Sequence, residues 1–150
     1  HLFLLDSIVD CHQDGGAKLE RQRQWLERTA TASDAPFKVV LLHHPPHSSG
    51  ARHGSAEHVQ WPFADWGIDL IVSGDDHVYE RLEVGGVVYL VNGLGGVERH
   101  PFGAPLPESL FRYRDDFGAV GLAVVGNRLE GAFLAATGEL VDTFSILGGT

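Results

Sequence analysis

The sequence predicts an α/β fold in one domain, and three observations carry that reading. Apolar strand-like runs alternate with a helical segment through the first half. A Gly85-Gly86 pair then joins two further strand-like runs. The last third is three such runs separated by Gly126-Asn127 and Thr137-Gly138. The order is β-α-β-α-β followed by an antiparallel β meander, which implies a partly parallel sheet with crossover helices. A length of 150 residues suits a single domain.

Residues 1–5 (HLFLL) are apolar and fit a strand. The following DSIVDCHQDGG reads as a loop. AKLERQRQWLERTA, without Gly or Pro, is rich in helix formers. Leu19 and Leu26 lie two turns apart with Trp25 beside them, an apolar stripe on a charged helix. FKVVLL (37–42) is a strand of the buried type. HHPPHSSGARHG is a long loop, since its prolines and glycines exclude regular structure. Ser55 is the expected N-cap of a short helix through AEHVQ, with Glu57 in its first turn, and Pro62 interrupts it or begins a second short turn. IDLIVSG (68–74) is another buried strand. VYERLEV and VVYLVNG pair as a hairpin. Residues 93–116, with three prolines, read as one long irregular loop of the kind that is usually functional.

Composition removes several functions. The net charge is −9 and no basic run is present, which excludes a phosphate-backbone partner such as nucleic acid. No apolar stretch reaches the ~20 residues that cross a bilayer, so no membrane partner is expected. Cys11 is the single cysteine and is read as structural, leaving the compartment undetermined. The chain has no methionine and opens in what reads as the middle of a strand. It is therefore expected to be the later part of something longer.

The chemistry concentrates in two places. Five of the nine histidines fall in residues 43–58: His43, His44, His47, His53 and His58. Asp75-Asp76-His77 follows another strand. In open α/β sheets, loops beyond the C-terminal ends of neighbouring strands converge on a crevice. Imidazole with carboxylate suits Zn, Fe or Mn. Each residue also has a plain reading. His43 can be a strand-end histidine with a satisfied hydrogen bond, and Asp75 and Asp76 can be turn residues. His58 is expected on the exposed side of its short helix, and His1, His12 and His100 on the surface. Gly93-Leu94-Gly95-Gly96 lacks the lysine and helix of a phosphate loop.

VVLLHHPPHSSGARHG, GIDLIVSGDDHVYERL and VVYLVNGLGG, in this order and spacing, resemble the C-terminal half of calcineurin-like metallophosphoesterases, in the purple (tartrate-resistant) acid phosphatase branch. QWLERTATASDAPFKVV and the closing meander are similar to that branch too. The resemblance implies half of a four-layer α/β/β/α sandwich. It implies a phosphatase of phosphate esters acting through metal-activated hydroxide between two metal ions (Fe, Zn or Mn). It matches His43 to a ligand of one metal and His77 to a ligand of the other. It matches His53 to a histidine that meets substrate and protonates the leaving group, and His47 is expected to assist it. Asp75 stands where the family has a histidine, which makes that side harder and more negative. The family's remaining ligands match nothing before residue 43. This chain alone is thus expected to hold at most one metal, weakly. The alternative is a catalytically silent metal-binding or interaction module.

Half a sandwich implies a bare inner sheet face. The expected partners are therefore a phosphate-ester substrate, and the missing N-terminal half or a second copy on that face.

Overall fold

A computed structural model describes residues 1–8 and 15–149. The elements are β1 (Leu2–Leu4), α1 (Gly15–Thr31), β2 (Val39–Leu41), a 3-10 turn (Glu57–Val59), β3 (Leu70–Ser73), β4 (Tyr79–Val84), β5 (Val87–Asn92), β6 (Ser109–Tyr113), β7 (Gly118–Val125), β8 (Arg128–Ala135) and β9 (Leu140–Leu147). Cys11 and His12 lie outside the described residues.

The main sheet has the order β1-β2-β3-β5-β4-β6. β1, β2, β3 and β5 run parallel, and β4 runs antiparallel between β5 and β6. The sequence alternates accordingly. Phe3, Val40, Ile71, Tyr89 and Val91 point to one face, where they bury Leu26 and Ala30 of α1 together with Phe63 and Trp66. Val39, Leu70, Leu90 and Tyr79 point to the other face, against Leu129 and Phe133 of β8.

That second face corrects one expectation. The inner face of the main sheet is not bare over its centre, because the antiparallel sheet β7-β8-β9 lies on it. Tyr79 stacks on Phe133 with ring centroids 4.3 Å apart. Asp142 of β9 accepts hydrogen bonds from Tyr79 Oη (2.8 Å) and from Arg81 Nε and Nη2 (2.8 and 3.0 Å). What remains uncovered lies toward β1. Leu2 and Leu4 stay exposed, as do Leu122 and Val124 of β7, and Leu2, Leu122 and Val124 share a groove with Phe37 and Val39.

Two further expectations fail. The segment after Ser55 forms only the 3-10 turn, with Ala56 at its N-cap and no side-chain cap. The Ser55 hydroxyl instead accepts the Ser48 backbone N–H at 3.1 Å. Pro62 follows too closely for an α-helix, since it disfavours helical geometry at Trp61. Residues 109–113 are a strand, not loop. SLFRY pairs with β4 at the sheet edge, and the prolines upstream hide that pairing from a local reading.

Candidate metal centre

β2 and β3 are parallel neighbours in register, so the residues after them emerge side by side. His43 is the second residue after β2 and Asp75 the second after β3. Their side chains meet, with His43 Nε2 3.3 Å from Asp75 Oδ1. The other Asp75 oxygen lies 3.8 Å from His53 Nδ1. His44 completes a group with His43 and Asp75 in which one ligand atom from each lies within 4.8 Å of the others. Asp75 has φ 64°, the one non-glycine residue with positive φ among the described residues. Aspartate tolerates this left-handed geometry better than most side chains, and such backbone gathers where the surrounding structure dictates a side chain's direction.

Two buried carboxylates build the loop that carries these histidines. Asp76 is fully buried. Its Oδ2 accepts from Ser48 Oγ (2.7 Å) and Gly54 N–H (2.9 Å), and its Oδ1 from His53 N–H (3.1 Å). Glu80, equally buried, accepts from Ser49 N–H, Ser49 Oγ and Ser109 Oγ, all at 2.6 Å. The backbone packs around Asp76 so closely that a Cβ on Gly93 would stand 2.1 Å from its carbonyl oxygen. Asp76 is therefore the anchor of the His53 loop, a role its place in an acidic turn did not reveal.

His100 also departs from expectation. It is not on the surface but buried at 2 % exposure, with its ring stacked on His77 at 3.9 Å. Burial pushes its imidazole below the ordinary value, with His77 and Arg52 adding to the effect. The His77 ring lies against His100 and the Glu98 carbonyl. Its Nδ1 donates to the Glu98 carbonyl at 2.5 Å, which leaves Nε2 with the lone pair, the arrangement typical of a histidine ligand. No ligand cluster among the described residues includes it. His47 packs edge-on against Tyr89 at 4.8 Å, apart from both ligand groups, and burial lowers its pKa. His58 is exposed, with its ring 5.3 Å from that of His44.

The donor chemistry separates the two groups of potential ligands. His43, His44 and Asp75 present two imidazoles and a carboxylate at an open surface, a set suited to one borderline divalent ion. His53, Asp76 and His100 also come together. There, however, the Asp76 oxygens already hold three donors, and His100 Nδ1 accepts the His77 backbone N–H at 3.1 Å. That group does not fit an ion. A groove over the meander, lined by Gly121, Gly131 and Phe144 among others, contains none of these residues.

The sequence placed His44 in the histidine cluster and Asp76 in the acidic turn without giving either a role, and it placed His100 on the surface. The doubled acid was the one available signal, since one carboxylate suffices for a turn.

Comparison with known proteins places this geometry. GAP50, the anchor in the inner membrane complex of Plasmodium, superimposes with a TM-score of 0.84 at 21% identity, over 99% of this chain and 49% of that one. The purple acid phosphatase PPD1 from yellow lupin seeds does so with a TM-score of 0.78 at 21% identity, over 97% of this chain and 30% of that one. At that identity the likeness is one of fold, and the chain spans half or less of each relative's length. No curated protein sequence matches the chain. The family model for calcineurin-like phosphoesterases matches residues 5–79, half of the chain and the half in which both ligand-bearing loops lie. On that match, the chain belongs to the calcineurin-like phosphoesterases.

Proposed function

We propose that this chain carries part of the active site of a metal-dependent phosphoesterase that hydrolyses phosphate monoesters. The observation that carries the reading is the meeting of His43, Asp75 and His53 at the ends of two parallel strands, with Asp75 3.3 Å from His43 and 3.8 Å from His53. His43, His44 and Asp75 would hold one ion, and His77, with its Nε2 lone pair free, would serve a second whose other ligands lie outside this chain. A bound ion supplies Lewis acidity toward a phosphoryl oxygen and lowers the pKa of water.

The residues of this chain do the rest. Asp76 holds the His53 backbone, so the imidazole keeps its place beside Asp75. From there it can donate a proton to the departing oxygen, the contribution expected of a general acid. His47, held against Tyr89, serves the loop's shape.

The test is hydrolysis of p-nitrophenyl phosphate by the longer parent protein with Mn, Fe or Zn supplied. The His43→Ala and His53→Ala parents should lose activity, and His43→Ala should also lose metal. Wild-type turnover and metal content in His43→Ala would overturn the assignment.

One observation favours a second reading, a metal-binding module without turnover. Only one of the two ligand groups among the described residues has free donors, and its third member is a carboxylate. Stoichiometric metal on the parent without phosphatase activity would select this reading.

A further inference from the structure

Leu4, Leu41 and Val72 are register partners across the parallel strands β1, β2 and β3. Ser7, His44 and Asp75 each stand three residues beyond them. The strand ends therefore bring a hydroxyl, an imidazole and a carboxylate into one row. His44 and Asp75 share the open group of ligand atoms with His43, and Ser7 approaches His44 from the β1 side. Serine is mostly an exposed residue, yet Ser7 is buried at 1 % exposure. Among the described residues its hydroxyl makes two contacts, both with His44. It accepts the His44 backbone N–H at 2.9 Å and lies 3.0 Å from His44 Nδ1. One oxygen thus fixes the main chain and the ring of the same residue. Ser7 is itself held, because its carbonyl lies 3.3 Å from His58 Nε2. A hydroxyl donates or accepts, so it engages Nδ1 in either neutral tautomer of the ring. In both cases Nδ1 is taken and Nε2 is the nitrogen left for an ion. An ion on Nε2 requires the ring proton on Nδ1. Ser7 Oγ then accepts that proton with one lone pair while the other keeps the backbone N–H.

We infer that Ser7 is the positioning residue of the open centre: it selects Nε2 of His44 as the ligand atom and holds that ring in place before an ion arrives. Partners of this kind fix the tautomer and orientation of a histidine ligand, and they are commonly carboxylates or backbone carbonyls. A hydroxyl does the same without charge, so it adds nothing to the negative charge that Asp75 already brings. Resting on the metal-dependent phosphoesterase reading, this role makes the end of β1 part of a centre otherwise built from the ends of β2 and β3.

Zinc titration of the chain, followed by calorimetry and by NMR of isotope-labelled histidine, tests this. In the zinc-loaded wild type the His44 nitrogen shifts should report an ion on Nε2 and a proton on Nδ1. That proton should exchange slowly with water and show a through-space contact to Ser7. Ser7→Ala should weaken zinc binding by about 10–100-fold, as for loss of other outer partners, and the slow exchange should vanish. Ser7→Thr keeps the hydroxyl and should restore both. A merely structural role would lower the urea midpoint of Ser7→Ala and leave the zinc affinity of the folded chain unchanged. Equal zinc affinity in wild type and Ser7→Ala would overturn the role. So would zinc on Nδ1, or a His44 ring that does not respond to zinc, and the wild-type spectrum decides these even where a variant does not fold. A parent that binds zinc as expected yet hydrolyses no phosphate ester would sink the phosphoesterase reading alone, since the titration does not depend on turnover.

Discussion

The Asp76 carboxylate occupies the space that a side chain on Gly50 would need. A Cβ on Gly50 would stand 2.1 Å from Asp76 Cγ and 2.2 Å from its Oδ2. Gly50→Ala must therefore push the loop off the carboxylate that orders it. The expected cost is about 1–3 kcal/mol, as for other overpacked sites, and the displaced His53 should show it. Urea unfolding measures the first, and the chemical shift of the His53 ring the second. An alanine variant as stable as wild type would mean that the loop does not close on Asp76.

If the proposed open centre binds a metal, Asp75 should decide which ion it prefers. Asp75→Ala should lower affinity by more than the roughly 10–100-fold that follows loss of an outer hydrogen-bonding partner. Asp75→His replaces a hard oxygen with imidazole and should shift preference from Mn toward Zn. Calorimetric titration of the chain with each ion checks both. Equal Mn and Zn affinities in wild type and Asp75→His would remove Asp75 from the centre.

The two sheets are pinned by one carboxylate. Asp142 takes both edges of the Arg81 fork and the Tyr79 hydroxyl in a nearly dry setting. Asp142→Ala leaves a cation and a hydroxyl buried without their acceptor. A loss of about 3–5 kcal/mol is expected, as for other broken buried pairs. Tyr79→Phe, which removes one neutral donor, should cost only about 1 kcal/mol. Denaturant melts of the two variants should differ by that margin.

His47 makes stability depend on pH. Burial against Tyr89 holds its pKa below the ordinary imidazole value of 6.5, with Glu108 partly opposing the shift. As pH falls through that value the unfolded chain takes up the proton first. Between the two pKa values the unfolded state binds more protons, so stability rises with pH there. It is full above 6.5 and is lost as pH falls below. His44 and His100 are shifted in the same direction, so His47→Gln should flatten only part of the slope. Urea midpoints of the metal-free chain from pH 7.5 down to about 5 would show it; an unchanged slope would mean that His47 is hydrated.

The free edge of β7 should join two copies of the chain. The strand GAVGLAVV is uncharged and without proline, it pairs only with β8 among the described strands, and the exposed Leu122 and Val124 continue into the groove beside β1. Edges that resist pairing usually carry charge or proline. Antiparallel β7–β7 pairing about a two-fold axis is self-complementary. Sedimentation at high micromolar concentration should show a dimer that Val124→Lys dissolves. A monodisperse monomer would reject it, and so would a longer parent that stays monomeric, whose own earlier strands would then be the occupant.

Sequence patterning revealed the parallel strands, α1, the hairpin and the meander, because each has a period that its own residues declare. It revealed His43 and Asp75 for the same reason, since each is the second residue beyond a strand that alternation identifies. β6 escaped because its partner, β4, lies some 25 residues away and its flanks are loop-like. Asp76 and His100 escaped because nothing local separates a carboxylate or imidazole that faces water from one enclosed by three remote segments. The collapse of the predicted helix after Ser55 has the opposite origin. The cap was locally sound, but Ser48 had a competing claim on the same hydroxyl.

The bonds from Asp76 and Glu80 to Ser48, Ser49, His53 and Gly54 are made entirely within the polypeptide. The residues proposed to bind an ion are therefore displayed on a frame whose own bonds need no ion. Substitution at such positions is nearly free in folding terms. An exchange at Asp75 should thus leave the fold in the same shape. Shape alone will therefore not tell an active member from a retired one.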